Sequence, residues 1–109
     1  LHTIDPVVFA QEAPQDMIRK LGKEKIEQLK IMDRKKDREG FITMETTEAV
    51  SLGSGDADWK ACAEAAKEIG FEGYVISDTP FNSTALNRNG EDYISLARKD
   101  LETLKKAFA

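Results

Sequence analysis

Among its 109 residues the chain has one cysteine, Cys62, one histidine, His2, and one tryptophan, Trp59. A single thiol excludes an internal disulfide. A single imidazole excludes a histidine cluster of the kind that holds zinc. No apolar run approaches the roughly 20 residues that cross a bilayer, and no basic-then-apolar leader opens the chain. Positive charge is scarce as well. Sixteen Lys and Arg face 20 Asp and Glu, giving a net charge of -4 and a pI near 5.0, a balance that argues against a surface built to hold a nucleic-acid backbone. What is present is an ordinary soluble mixture, 40% hydrophobic and 33% charged, which is not the composition of a disordered chain. At roughly 150 residues per domain, this length holds one domain or a piece of one. The expectation is therefore no nucleic acid, no membrane and, by default, the cytosol. The chain also opens on Leu1, with strand-like residues at once, and reads as a fragment.

The pattern along the chain alternates between strand and helix. Residues 1 to 4 are short and partly apolar. Asp5-Pro6 is expected to end them in a loop, because a residue before proline is pushed towards extended geometry. Residues 14 to 21 read as a helix, with Pro14 in the first turn, Met17, Ile18 and Leu21 on one face, and Gly22 as the stop. Residues 26 to 32 read as a strand. In the long connection from 33 to 57, Phe41 to Met44 and Ala49 to Leu52 are expected to pair as a hairpin. Trp59, Cys62, Ala63, Ala66 and Ile69 then make one helical stripe, with Asp58 as N-cap and Gly70 as stop. Gly73 to Ser77, with Tyr74, Val75 and Ile76 inside it, reads as a strand buried on both faces, with Asp78 at its end. A polar loop over 79 to 89 leads to a final helix from about Gly90, carried by Ile94, Ala97, Leu101, Leu104 and Phe108.

Such alternation builds a parallel sheet with right-handed crossovers. Three parallel strands with every helix on one face leave the other face bare, and parallel sheets are normally covered on both. The cover is expected from more polypeptide, from a second copy, or from curling of the sheet into part of a barrel.

Several motifs in order point to a family. Gly53-Ser54-Gly55-Asp56-Ala57-Asp58-Trp59, followed by Lys67-Glu68-Ile69-Gly70-Phe71-Glu72-Gly73-Tyr74, resembles the late part of the sugar phosphate isomerase/epimerase family, the xylose-isomerase-like TIM barrels. Ile4-Asp5-Pro6 looks like the end of that family's sixth strand, Ile26 to Asp33 like its seventh, and Ala97 to Leu101 like its final helix. The resemblance covers essentially the whole chain and implies about the last three β/α units of a (β/α)8 barrel. A complete barrel takes about 250 residues.

The resemblance also implies chemistry, namely movement of a proton next to the carbonyl of a sugar, polyol or related compound. A divalent metal, Mn, Mg, Co or Zn, would be held in the complete barrel by carboxylates and a histidine. Asp5 and Asp78 match carboxylate positions and are the expected metal ligands. Val8 and Lys30 stand where the family has histidines, and an ammonium cannot ligate while protonated. Lys30 and Asp78 are the expected catalytic pair, with Lys30 replacing the metal's charge at a developing enolate or, with its pKa lowered by burial, acting as a base or Schiff-base amine. The alternative is that Lys30 and the two aspartates are an ion pair left from a lost site, in a non-catalytic half-barrel or degenerate paralogue that serves as a binding or assembly element.

Arg34, Lys35, Lys36 and Arg38 form a basic run. Arg34 and Lys36 are the expected substrate-phosphate ligands, against the plainer reading of a solvated loop. His2, alone at the chain start, is given no role. Cys62 shares the Trp59 stripe and is core. Asp56 and Asp58 mimic a metal pair, but Asp58 is explained as an N-cap. Asn82-Ser83-Thr84 fits a glycosylation pattern with nothing else to support it. The expected partners are a sugar-like small molecule and either a second copy or the missing N-terminal half of the barrel.

Overall fold

A computed structural model of the chain describes residues 1–79 and 92–108. The glycosylation-like Asn82-Ser83-Thr84 and nearly all of the expected polar loop lie outside them. Among the described residues four α-helices, four strands and a 3-10 turn at Lys23–Lys25 occur, the helices and strands in the order α1 (Ile4–Ala10), α2 (Pro14–Leu21), β1 (Gln28–Ile31), β2 (Asp33–Lys36), β3 (Thr47–Val50), α3 (Trp59–Glu68), β4 (Tyr74–Ser77) and α4 (Tyr93–Ala107).

The expected opening strand is reduced to one bridge. His2 pairs in parallel with Lys30, and the N–H groups of Lys30 and Thr3 donate to the carbonyls of Leu1 and Lys30 at 2.9 Å each. Asp5-Pro6 does not break the chain into a loop. Both residues lie in the first turn of α1, where an N–H has no partner inside the helix and proline's missing one goes unnoticed. Asp5 is therefore an exposed helical residue and does not stand at a strand end.

β1 and β4 pair in parallel, with Gln28 opposite Tyr74 and Lys30 opposite Ile76. With the His2 bridge on its other side, β1 is the central strand of this small sheet. Side chains alternate across a strand, and burial follows the alternation. Leu29 and Ile31 are fully buried, packed with Ile18 of α2 and Trp59, Cys62, Ala65 and Ala66 of α3 in one core. Removing each large aliphatic chain from water contributes about 2 kcal/mol. Lys30, Tyr74 and Ile76 take the opposite face and stay exposed. The reading of β4 as buried on both faces is thus corrected: among the described residues no layer covers one of its faces.

α2 begins at Pro14 and ends where Gly22 adopts φ 70°, a left-handed backbone angle that glycine takes without steric cost. α3 has Asp58 as its N-cap, its side chain accepting from the N–H of Ala61 at 3.0 Å. α4 is capped by Asp92. The hairpin differs from expectation. Its arms are β2 and β3, antiparallel, with Asp33 opposite Val50 and Lys36 opposite Thr47. The charged run 33 to 36 forms a strand because Arg34 holds the other arm: its Nε donates to Thr47 Oγ1 at 2.7 Å and its Nη2 to the Thr47 carbonyl at 2.9 Å. Backbone pairing with side-chain anchoring overrides a weak strand composition.

The result is an α/β fold with parallel strands and helices. Its sheets are two-stranded and do not close on themselves among the described residues. No helix among those residues is long and apolar enough to cross a membrane.

Candidate functional site

The open face of the sheet gathers His2, Lys30 and Asp78. His2 and Asp78 flank the central strand, and their side chains meet, Nε2 to Oδ2, at 2.7 Å. The residues are 76 positions apart in sequence. Asp78 is placed by its own N–H, which donates to the Ile31 carbonyl at 2.8 Å and extends the β1–β4 ladder by one step. Lys30 stands in register between the bridge to His2 and the pairing with Ile76, and it has no side-chain hydrogen bond or ion pair among the described residues. Two of the expected site residues, Lys30 and Asp78, thus share one end of one face. His2, for which no role was expected, joins them. No local signal marked it: the bridge that sets His2 beside Lys30, and so on the same face, is made only in the fold.

Asp5 does not join this group as a strand-end residue, since it is carried on α1. Arg34 and Lys36 sit in the hairpin. Nη2 of Arg34 also donates to the Met44 carbonyl at 3.2 Å, so both hydrogens of that nitrogen are spent on the loop. Burial lowers the Arg34 pKa from its ordinary value, with the field of Glu48 opposing. The backbone N–H of Lys36 donates to Asp56 at 2.7 Å, which ties the hairpin to the turn before α3.

A second carboxylate was passed over. Asp33, fully buried, accepts from the N–H groups of Gly53, Gly55 and Ala57 at 2.9, 3.0 and 3.3 Å and from Trp59 Nε1 at 3.2 Å. Burial raises its pKa, and those four donors pull the other way. All of its hydrogen bonds go to its own chain, so this carboxylate shapes the Gly53–Trp59 turn. Asp100, also buried, plays a comparable part by accepting from the Leu52 N–H at 3.1 Å and from the Ser77 and Thr79 hydroxyls. Cys62 is buried, and burial pushes its thiol up to about 12. It is core, as expected.

A divalent cation takes several protein donors, four at a structural zinc and three plus water at a catalytic one. Among the described residues no group of three or more His, Cys, Asp or Glu side chains converges to hold one. On the open face the donor-type groups that meet are His2 and Asp78, with an ammonium alongside them. This set does not by itself fit a metal.

No protein-family model matches the sequence, and no curated protein matches it. The fold is similar to a crystal structure of the IolI protein with a binding zinc atom, with a TM-score of 0.69 at 21% sequence identity. The match covers 99% of this chain and 36% of the IolI chain. The chain therefore spans about a third of that protein's length, and at this identity the likeness is one of fold.

Proposed function

We propose that this chain is part of a barrel of the sugar isomerase/epimerase kind and that its open face forms part of the barrel's interior. The observation that carries the reading is the His2–Asp78 contact beside Lys30 at the carboxyl ends of neighbouring parallel strands, the end at which barrel enzymes work. The fold likeness to IolI and the ordered motifs support it. The remaining strands and helices come from further polypeptide, or from a second copy, laid against Tyr74 and Ile76.

In this reading the reaction moves a proton beside a carbonyl. The carboxylate of Asp78 takes the proton from the carbon next to the substrate carbonyl, and the C–H electron pair forms an enolate. Lys30 stabilises the oxyanion, a role for which a fixed positive charge in a dry site is well suited. His2 holds Oδ2 of Asp78, leaving Oδ1 to face the substrate. Return of the proton to the former carbonyl carbon, with the neighbouring hydroxyl proton passing to the enolate oxygen, isomerises the sugar; epimerisation instead takes a proton on the opposite face from a second acid supplied by the rest of the barrel. A zinc atom belongs to the IolI structure, and no step is routed through one here.

The test is deuterium exchange. Sugars, polyol-derived ketones and sugar phosphates are incubated in D2O with the protein that carries this segment, and loss of the proton next to the carbonyl is followed by NMR. Exchange that disappears in Lys30→Met and Asp78→Asn supports the proposal. Exchange that persists in both folded variants overturns the roles given to Lys30 and Asp78, and absence of exchange with every substrate of the panel overturns the reading in favour of a non-catalytic assembly element.

A further inference from the structure

A cavity of about 270 Å³ lies where α1, the start of α2, the end of β1 and the hairpin meet. None of His2, Lys30 and Asp78 lines it. Most of its wall is apolar, made by Ile4, Val7, Ala13, Pro14, Met32 and Ala57. One side is closed by a two-point clamp between Gln11 and Ile42: Nε2 donates to the Ile42 carbonyl at 2.8 Å, and the Ile42 N–H donates to Oε1 at 2.9 Å. Gln11 is the one described non-glycine residue with a left-handed backbone, at φ 51°. That conformation is uncommon outside Gly, Asn and Asp, so the clamp holds the end of α1 in an unusual turn over the cavity.

The polar lining is nearly all committed. Asp33 accepts its four bonds, Asp58 caps α3, Asp56 takes the Lys36 N–H, and Glu12 pairs with Lys20 at 2.6 Å. Among the described residues two lining side chains keep free capacity: Gln15, whose Oε1 meets only the Cys62 thiol at 3.9 Å, and Arg34. Of the Arg34 nitrogens, Nε and Nη2 are spent on Thr47 and Met44, whereas Nη1 has only the sulfur of Met32, at 3.8 Å. A thioether is a weak acceptor. The guanidinium therefore brings to a largely apolar hollow two Nη1 hydrogens with no oxygen partner among the described residues, the arrangement of small-molecule sites that combine an apolar wall with a few placed polar groups. The surrounding carboxylates disfavour a multiply charged anion such as a phosphate.

We propose that this cavity binds a small molecule with a compact apolar body and one acceptor oxygen, carbonyl or carboxylate, received by Nη1 of Arg34. The site is separate from the open-face group and does not depend on the barrel reading.

The test uses the 15N-labelled chain, titrated with benzoate, benzamide and toluene while amide shifts are followed. Saturable shifts confined to Thr3, Val7 and Ala57 with benzoate or benzamide are expected. Benzoate alone identifies a carboxylate site, and both together identify a carbonyl oxygen as sufficient. Arg34→Met should weaken the oxygen-bearing probes by about tenfold, the effect of losing a hydrogen bond to a charged group, and leave toluene unchanged. Because Arg34 also anchors the hairpin, Ala57→Leu gives a second arm. It fills the hollow without touching the guanidinium and should abolish all three responses. The proposal is overturned by the absence of saturable shifts at these residues, by binding of toluene alone, by oxygen-probe binding undiminished in folded Arg34→Met, or by binding retained in Ala57→Leu.

Discussion

Asp33 and Trp59 are joined by one hydrogen bond, indole Nε1 to Oδ2 at 3.2 Å, and the whole turn between the hairpin and α3 is wound around it. The same oxygen accepts from Gly53 and Gly55, and Oδ1 accepts from Ala57. One side chain thus satisfies three backbone donors and the indole in a place water does not reach. The strand end, the turn and the first residue of α3 are fixed together.

Replacing Asp33 by Ala leaves four donors without an acceptor. Each buried unsatisfied group costs about 1–3 kcal/mol, and the losses are not additive. Asp33→Ala is expected to lower the unfolding free energy by about 4 kcal/mol, with Asp33→Asn, which keeps one acceptor oxygen, costing about half as much. Urea unfolding followed by Trp59 fluorescence measures both. A loss below about 1 kcal/mol for the alanine variant would show that the turn is held by something else.

Gly55 is required by space. A Cβ built there would stand 2.2 Å from Asp33 Oδ1 and 2.6 Å from the Arg34 carbonyl oxygen. Neither atom can retreat without breaking the Asp33 network or the hairpin. Gly55→Ala should therefore destabilise by about 2–3 kcal/mol, in the range of overpacked sites, and should change the Trp59 emission in the folded state.

The Cys62 thiol, buried and raised to about 12, is almost entirely protonated at pH 8. Since the thiolate is the reactive form, Ellman's reagent should not modify the native chain and should react with one thiol once urea unfolds it. Rapid modification without denaturant would contradict the burial of α3 against β1.

Acid sensitivity has a predictable sign. Arg19 holds Glu68 below the ordinary carboxylate range through a hydrogen bond of 2.7 Å, and the Ser95 N–H does the same for Asp92 at the start of α4. A depressed folded pKa gives stability that is present above the unfolded value and is lost as pH falls through the folded one. Both groups are exposed, so each effect is small. The double variant Glu68→Gln, Asp92→Asn should flatten the acid side of the stability profile below about pH 4.5. An unchanged acid limb would place its origin in other carboxylates.

Tyr74 is 79% exposed and Ile76 38% exposed on the open sheet face. Light scattering should find the chain associated, and Tyr74→Ser with Ile76→Ser should shift it towards a monomer. A wild-type monomer of about 12.2 kDa with cooperative unfolding would instead describe a self-sufficient unit.

The elements legible from sequence were those whose signals are local. Pro14 and Gly22 bracket α2, and Asp58, Trp59 and the small residues after them define α3, because caps and periodicity act within a few residues. The α/β class and the bare face followed from the order of elements and from the alternation in β1. Lys30 and Asp78 could be named by resemblance to a family's strand ends.

Tertiary structure decided the rest. Asp5 and Pro6 became helical because Thr3 and His2 are held against β1, and the run 33 to 36 became a strand because Arg34 finds Thr47 across the hairpin. His2 reached Asp78, and Asp33 reached the Gly53–Trp59 turn, through separations of 76 and 20 to 26 residues. Local propensity carries no information about such partners. A side chain's neighbours along the chain set its secondary structure, but its hydrogen-bond partner is whatever polar group folding brings within 3 Å, and that is fixed only when the layers pack.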